Sequence, residues 1–118
     1  MSESLAVGSI VLVDWRDKHF PSEPGKIRPA IIIANSSLLT SVGVLTVLPL
    51  SGDPRLALPS LSVRIEPRLT NGLTKPSYAL VWSVQTVAMA RVKGTTAAVL
   101  DAEIAEVKRA VLAFLALS

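Results

Sequence analysis

The residues with the clearest chemical potential lie between positions 22 and 33, in the segment SEPGKIRPAIII. A polar loop that contains proline and glycine ends there in Arg28-Pro29, and an apolar run follows at once. Proline restricts the residue before it to extended backbone, so we expect Arg28 to occupy a fixed place at the start of a strand. A cation held there is a candidate functional group. The same pattern also fits an ordinary arginine at a strand end.

The composition limits the chemistry that is available to this chain. It has 118 residues, no cysteine and a single histidine, which excludes disulfides, thiolate catalysis and a histidine-rich metal cluster. We therefore expect no metal site and no cofactor. The net charge of +3 favours polyanionic partners only mildly, and it fits a charge that serves solubility equally well.

The N-terminus and the apolar runs predict where the protein resides. The first nine residues, MSESLAVGS, lack the basic region and long apolar core of a signal peptide. The longest apolar run, at 110–117, is much shorter than a membrane span. We predict a cytoplasmic protein with no membrane contact, folded as a single domain over residues 1–118 around an aliphatic core.

Apolar runs of strand length alternate with turn signals along most of the chain. We predict strands at 9–15, 29–34, 42–50, 62–66, 78–87 and 95–99. Asp101 is a predicted helix N-cap, and helical spacing follows it at Ile104, Val107, Val111, Phe114 and Leu115. Consecutive strands with one terminal helix indicate a mainly β protein, a small, strongly curved barrel closed by the helix.

Several motifs, in their order and spacing, resemble the MazF/PemK/Kid family of toxin endoribonucleases. The first is the strand Gly-Ser-Ile-Val-Leu-Val at 8–13, and the second is the loop Ser-Glu-Pro-Gly-Lys-Ile-Arg-Pro-Ala at 22–30. The third is Pro-Leu-Ser at 49–51, which ends an apolar strand. The resemblance extends over nearly the whole chain. Its remaining elements are Gly72-Leu73 and Ser77, a strand that ends near Arg91, and the C-terminal helix.

The resemblance implies a fold, an activity and partners. The fold is an SH3-like curved barrel of the CcdB and MazF type, usually found as a homodimer. The activity is metal-independent cleavage of single-stranded RNA, including mRNA, by attack of a 2′-hydroxyl on the adjacent phosphorus. The partner protein is a cognate antitoxin, which inhibits the toxin of this type II pair.

The resemblance also implies catalytic residues. Arg28 and Ser51 match the family's catalytic pair of an arginine and a hydroxyl residue. A fixed guanidinium stabilises the charge that accumulates on the non-bridging phosphate oxygens, and the Ser51 hydroxyl donates to the same phosphate. Glu23 is a third candidate, as a base or as a carboxylate that orients Arg28. Without the resemblance, Ser51 fits the start of a turn with 52–54, and Glu23 fits a solvated loop carboxylate.

Further residues are candidates for RNA binding. Trp15 and Phe20 flank the loop and can stack on unpaired bases, although Trp15 also fits packing at the end of its strand. Lys26 fits a phosphate contact or a solvent-exposed charge. The predicted set is completed by Gly52, Gln85 and Arg91.

The chain departs from the family late in the long predicted strand, where it reads Trp-Ser-Val-Gln-Thr at 82–86. Leu80 and Trp82 stand where one branch of the family has arginine and aspartate. Trp82 fits either core packing or an exposed stacking position. The RNA sequence preference therefore does not carry over, and a degenerate module that binds antitoxin or RNA without cleaving is the alternative function. A gyrase poison of the CcdB type is disfavoured, because its C-terminal Trp-Gly-Ile is absent here.

Overall fold

The structure, a computed structural model, describes residues 5–15, 27–35 and 40–117. Within these ranges it contains seven strands and one α-helix, α1 (Asp101–Phe114). The strands are β1 (Ile10–Asp14), β2 (Ile27–Ile32), β3 (Val44–Ser51), β4 (Ser62–Ile65), β5 (Ser77–Leu80), β6 (Gln85–Ala88) and β7 (Val92–Lys93). The predicted mainly β architecture with a C-terminal helix is confirmed. No helix in the described ranges has the length and apolarity needed to cross a membrane.

All seven strands join one sheet in the order β4-β5-β3-β2-β1-β7, and β6 also pairs with β3. The pairings are antiparallel. In the part of the chain that the structure describes, β4 and β7 end the main strand order and do not pair with each other, and β6 forms a further edge beside β3. The predicted fold class is confirmed, but the term curved barrel describes it only loosely, because β7 is two residues long, pairs with β1 and leaves the sheet unclosed. The sheet is open.

Strand β3 organises the sheet, since it pairs with β2 on one edge and with both β5 and β6 on the other. The predicted continuous strand at 78–87 is broken by a 3₁₀ turn at Val81–Ser83. Two residues of β3 lie between Val47 and Leu50, whereas five lie between their partners Gln85 and Ala79. The turn absorbs the difference, so that β5 pairs with the end of β3 and β6 with its beginning.

The two faces of the sheet carry separate parts of the core. On the first face, residues such as Leu48 and Leu50 of β3 pack in one cluster with Val107 and Val111 of α1. On the second face, Val47 packs in another cluster with residues of β1, β2 and β6. Successive side chains of a strand point to opposite faces, so Ser51, two residues beyond Pro49 and four beyond Val47, belongs to the second face. By the same alternation Arg28 shares the second face with Ala30.

The segment after β7 is not the strand that the sequence predicts at 95–99. It makes an isolated bridge between Ser9 and Ala98. The Ile10 N–H donates to the Ala97 carbonyl at 2.9 Å, and the Thr95 hydroxyl donates to the Ile10 carbonyl. The Val99 N–H also donates to the Gly8 carbonyl at 3.0 Å, so one side-chain and two backbone hydrogen bonds tie the segment to residues 8–10 as an isolated bridge and not as a strand.

Helix α1 begins differently from the prediction. Its N-cap is Leu100 and not Asp101, because Glu103 supplies the capping group by accepting the Leu100 N–H at 2.9 Å. The other oxygen of Glu103 accepts from Arg68 at 2.7 Å. The helix buries Val107 and Val111 as predicted, with Ile104 partly buried beside them. Two further predicted apolar positions are instead exposed, by 43% and 45%, at Phe114 and Leu115.

Replacing Glu103 with alanine is expected to lower the free energy of unfolding by about 1–2 kcal/mol, because the change removes a cap and an ion pair together. Urea denaturation followed by tryptophan fluorescence measures the effect. Glu106→Ala is the matched control, since Glu106 lies exposed on the same helix and its loss is expected to cost only a few tenths of a kcal/mol. Equal shifts in the two variants would contradict the capping role.

Candidate active site at one end of the sheet

Arg28 and Ser51 meet where β2 begins and β3 ends. The register pairs Ala30 with Pro49 and Ile31 with Leu48, and its extension by two residues places Arg28 opposite Ser51. Residues directly opposite in antiparallel strands have Cα atoms about 4.5–5.5 Å apart, with their side chains on the same face. The two predicted catalytic residues are therefore neighbours on the second face.

The pair belongs to a row of residues that crosses the sheet. Arg28 lies opposite Val13 of β1, Ser51 lies opposite Tyr78 of β5, and Tyr78 lies opposite Arg64 of β4. Val13 belongs to the larger cluster of the second face, and Tyr78 belongs to a smaller cluster on the other side. The guanidinium and the hydroxyl thus lie between two apolar clusters, where a lowered local dielectric strengthens their interaction with an anion.

The Ser51 hydroxyl is held in a turn. Ser51 is 4% exposed, and the Asp53 N–H donates to its Oγ at 3.1 Å. A hydroxyl has two acceptor lone pairs and one O–H to donate, so this contact uses an acceptor position and not the donor. The turn role, one of the two alternatives that the sequence leaves for Ser51, is therefore present in the structure.

The Asp53 carboxylate is engaged by Arg55. It accepts from the Arg55 backbone N–H at 2.9 Å and from the guanidinium through both oxygens, at 2.8 Å for Nη2. The same contact caps a 3₁₀ turn at Pro54–Leu56. The hydrogen bond to Asp53, and then its charge, raise the pKa of Arg55. The ion pair therefore offsets a negative charge that stands two residues from Ser51.

Arg55→Gln is expected to raise KM for a short RNA by about two- to fivefold at low salt, because it removes the positive charge that is paired with Asp53 and so makes the surroundings of Ser51 more negative towards a polyanion. The double variant Asp53→Asn with Arg55→Gln is expected to restore KM, since asparagine keeps the cap but carries no charge. Initial cleavage rates at 20 and 300 mM salt measure both effects. A KM that rises as much in the double variant as in Arg55→Gln would show that Arg55 acts on RNA directly.

Arg64, at the far end of the row, forms an ion pair with Glu66, the residue that follows β4. Its Nε donates to Glu66 at 2.5 Å, and its Nη1 lies 3.5 Å from the Tyr78 hydroxyl. The hydrogen bond to Glu66, and then its charge, raise the pKa of Arg64. Because these pKa values are raised above that of an ordinary arginine, Arg55 and Arg64 are cationic at neutral pH and are poorly suited to donate a proton.

The structure adds a cation that the sequence did not point to. A Cβ placed on Gly52 would lie 2.3 Å from Cε and 3.2 Å from Nζ of Lys75, so the lysine chain lies directly against this glycine. The Ser77 hydroxyl donates to the Lys75 carbonyl at 3.3 Å. Lys75 comes just before β5, which pairs with the end of β3, and only that pairing brings it beside Gly52.

Two other predicted RNA-binding residues lie apart from an accessible site. Trp15 is 2% exposed and packs in the cluster of the second face, so its ring presents no face to a base. This burial favours the alternative interpretation of Trp15, packing at the strand end, and its stacking on a base stays a prediction. Gln85 lies opposite Val47, roughly 13 Å along β3 from Ser51, and its amide nitrogen donates to the carbonyl and hydroxyl of Ser83.

Arg91 lies beside side chains of the first face, whereas Arg28 and Ser51 belong to the second face. It ends a 3₁₀ turn just before β7 and lines a cavity of about 250 Å³ together with Asp14 and Ile27, among others. Asp14 and Ile27 are paired at the end of β1 and the start of β2, one residue before Arg28. Three further predicted residues lie outside the described ranges: Phe20, Glu23 and Lys26.

Leu80 and Trp82, where the sequence departs from the family pattern, are packing residues in the structure. Leu80 is fully buried, and Trp82 packs against a cluster of Leu56, Tyr78 and Leu80. The Trp82 indole nitrogen is buried and has no hydrogen-bond partner among the described residues. Both positions therefore contribute apolar packing beside the row and no ionisable group. Within the same ranges, no three His, Cys, Asp or Glu side chains lie close enough together to hold a metal ion.

Comparisons with known proteins agree with this architecture. Residues 6–115 match the family described as PemK-like, MazF-like toxin of type II toxin-antitoxin system, whereas no curated protein matches the chain by sequence. Among solved structures, the chain is similar to the MazE–MazF structure from Deinococcus radiodurans, with 16% identity, a TM-score of 0.73, and coverage of 96% of this chain and 97% of that one.

It is also similar to an endoribonuclease in complex with its cognate antitoxin from a mycobacterial species, at 15% identity, a TM-score of 0.73 and 98% coverage of both chains. The Mycobacterium tuberculosis toxin MazF-mt6 is 19% identical with a TM-score of 0.71, over 92% of this chain and 97% of that one. Identities this low show a shared fold alone, whereas the family match extends over nearly the whole sequence. The chain therefore belongs to the PemK-like, MazF-like family of type II toxin–antitoxin toxins.

Proposed function

We propose that this protein is an endoribonuclease toxin that cleaves single-stranded RNA without a metal ion and so inhibits translation. The observation that carries the proposal is the juxtaposition of Arg28 and Ser51 across β2 and β3, on one face and between two apolar clusters. Such a pair offers a fixed positive charge and a hydroxyl to one phosphate group, and both can stabilise the charge that develops on phosphate oxygens without a metal.

In the proposed reaction the 2′-hydroxyl of one nucleotide attacks the adjacent phosphorus. The bond from phosphorus to the 5′-oxygen of the next nucleotide breaks, which leaves a 2′,3′-cyclic phosphate and a free 5′-hydroxyl. Negative charge grows on the non-bridging oxygens, where Arg28 stabilises it and Ser51 donates a hydrogen bond. Glu23 is the candidate base that takes the 2′-hydroxyl proton, or the carboxylate that orients Arg28.

Further cations and backbone groups are proposed to hold the flanking RNA. Lys75, which lies against Gly52, joins the predicted contacts at Gly52 and Lys26 around the reacting phosphate. Arg91 is proposed to contact RNA farther from that phosphate. Phe20 is a stacking candidate for an unpaired base. Polyanion binding through such contacts weakens as salt rises.

The proposed partners follow from relatives that were solved with their antitoxins, a MazE–MazF pair and a mycobacterial endoribonuclease. We propose a cognate antitoxin whose flexible acidic segment folds over the cationic site around Arg28. We also propose a cytoplasmic homodimer, in keeping with the resemblance to the MazF type.

The test is cleavage of a mixed-sequence single-stranded RNA by the purified full chain in excess EDTA. Mass spectrometry of the fragments is expected to find 2′,3′-cyclic phosphate and 5′-hydroxyl ends. Double-stranded RNA of the same sequence is the matched control and is expected to remain intact. Absence of cleavage across varied sequences, or cleavage that disappears with EDTA, would overturn the proposal.

The second candidate function is a module that binds antitoxin or RNA without cleaving. The apolar packing of Leu80 and Trp82, where a branch of the family has ionisable residues, favours it. This alternative predicts nanomolar antitoxin binding together with normal growth when the protein is expressed alone. Growth arrest on expression that Arg28→Ala relieves would exclude it.

A further inference from the structure

A groove lies beside the candidate active site, on the β4–β5 side of Ser51. Its volume is about 300 Å³, and it is lined by Ala57, Leu58, Pro59, Ser62, Arg64 and Tyr78. This volume is at the lower end of the range for small-ligand pockets. The groove therefore suits a single planar group and not a folded peptide segment.

The groove is continuous with the row that contains the predicted catalytic pair. Tyr78 lies directly opposite Ser51, and Arg64 lies directly opposite Tyr78. Neighbouring strands are about 4.7–4.9 Å apart, so Tyr78 is one strand and Arg64 two strands away from Ser51. A base attached to a nucleotide that flanks the reacting phosphate falls within this distance.

Residues 57–59 form the apolar wall of the groove. Hydrogen bonds between Leu58 and Ser62 hold this wall in place. The Ser62 hydroxyl accepts the Leu58 N–H at 2.9 Å and donates to the Leu58 carbonyl at 3.2 Å. The Ser62 backbone N–H also donates to that carbonyl at 3.0 Å. Leu56, just before the wall, is buried against Tyr78 and Leu80. The wall is thus preformed and needs little ordering when a ligand binds.

The polar end of the groove presents donors. An arginine carries five N–H donors in a fixed fork. Glu66 takes the Nε donor of Arg64, and the Tyr78 hydroxyl lies 3.5 Å from its Nη1. Glu66 therefore orients the guanidinium, and most of its Nη donors have no partner among the described residues. An oriented arginine pairs best with a base edge that has two adjacent acceptors, which guanine presents as O6 and N7.

We infer that this groove binds the base of a nucleotide next to the reacting phosphate, and that Arg64 makes guanine the preferred base there. The inference rests on the proposed RNA cleavage and adds a source of sequence preference to it. RNA is favoured over an antitoxin segment as the occupant, because the groove adjoins the phosphate site and joins an apolar wall to a donor-bearing cation. That combination suits a planar base with acceptors on its edge.

The experiment compares wild type, Arg64→Ala and Arg109→Ala on a pool of RNA with randomised sequence, with fragment ends read by sequencing. Wild type and Arg109→Ala are expected to enrich guanine at one position flanking the cut. Arg109 is the matched control, an exposed arginine on α1. Arg64→Ala is expected to keep cleaving with the guanine preference reduced by about five- to tenfold. An unchanged guanine preference in Arg64→Ala, or no guanine preference in wild type, would overturn the inference.

A binding assay separates this inference from the proposed cleavage. An oligonucleotide with one 2′-deoxynucleotide at the cut site cannot react, so its affinity is measurable by fluorescence anisotropy even if the protein does not cleave. Replacing the flanking guanine with 7-deazaguanine removes only the N7 acceptor. Wild type is expected to lose affinity about threefold or more on that change, and Arg64→Ala is expected to lose none. Equal losses in both proteins, or an Arg64→Ala defect confined to antitoxin binding, would reject the groove as a base site.

Discussion

Replacing Arg28 with alanine is expected to lower kcat/KM for cleavage of single-stranded RNA by about 100- to 1000-fold. Arg28 is the second residue of β2 and lies opposite Ser51, between the apolar clusters of the second face. A guanidinium in that position stabilises charge that exists fully only in the transition state, so the loss is expected mainly in kcat. Single-turnover cleavage of a fluorescent oligonucleotide measures it.

The lysine variant separates charge from geometry. Arg28→Lys keeps the positive charge but lacks the planar fork that binds two phosphate oxygens together, so we expect it to recover only part of the activity. Arg109→Ala, on the opposite side of the molecule from the row, serves as the control for removing a surface arginine. Thermal unfolding of all three variants tests whether the fold is intact. An Arg28→Ala protein that is folded and still cleaves at the wild-type rate would remove Arg28 from the mechanism.

Replacing Ser51 with alanine is expected to reduce kcat/KM by about 100-fold, because one hydrogen-bond donor to the developing charge is lost. The same change removes the acceptor for the Asp53 N–H, which is expected to cost about 1 kcal/mol of folding free energy. The two effects are distinguishable, because kcat/KM is measured from cleavage rates at RNA concentrations below KM, whereas the folding free energy is measured by urea denaturation.

Ser51→Thr is the matched variant, since it keeps the hydroxyl and adds one methyl group. We expect it to retain cleavage within about tenfold of wild type, with any loss due to crowding in a buried site. In the double variant Arg28→Ala with Ser51→Ala, the combined loss is expected to be smaller than the product of the single losses, because both groups act on the same phosphate. Fully multiplicative losses would indicate that the two residues contribute independently and are not coupled through one phosphate.

Local sequence signals were sufficient for most of the secondary structure. The strands β1 to β4 and helix α1 lie within two residues of their predicted bounds, because periodicity and the positions of proline and glycine are local properties. The helix start was misassigned at Asp101, since the cap depends on the side chain of Glu103 reaching back to Leu100. The break at Val81–Ser83 was missed, because an apolar, β-branched run fits a buried strand and a buried turn equally well.

The sequence alone was also sufficient to predict that Arg28 and Ser51 act as a pair, because both lie in motifs that occur in the same order as in the family. Their physical proximity depends on the register of β2 against β3, which pattern reasoning along one chain does not contain. The burial of Trp15 shows the same limit, since a residue at the end of a predicted strand can lie in the core or at the surface. Packing against the second-face cluster decided that it lies in the core.

The sequence by itself determined where the strands run, that Arg28 stands at the start of one of them, and which family the chain resembles. Only the tertiary structure decided what surrounds that arginine. It placed Ser51 across from Arg28, Lys75 against Gly52, and Tyr78 and Arg64 in one row that leads to a preformed groove. The physical reason is that strand pairing is set by the burial of whole faces across distant segments, so the neighbours of a site are a property of the complete sheet.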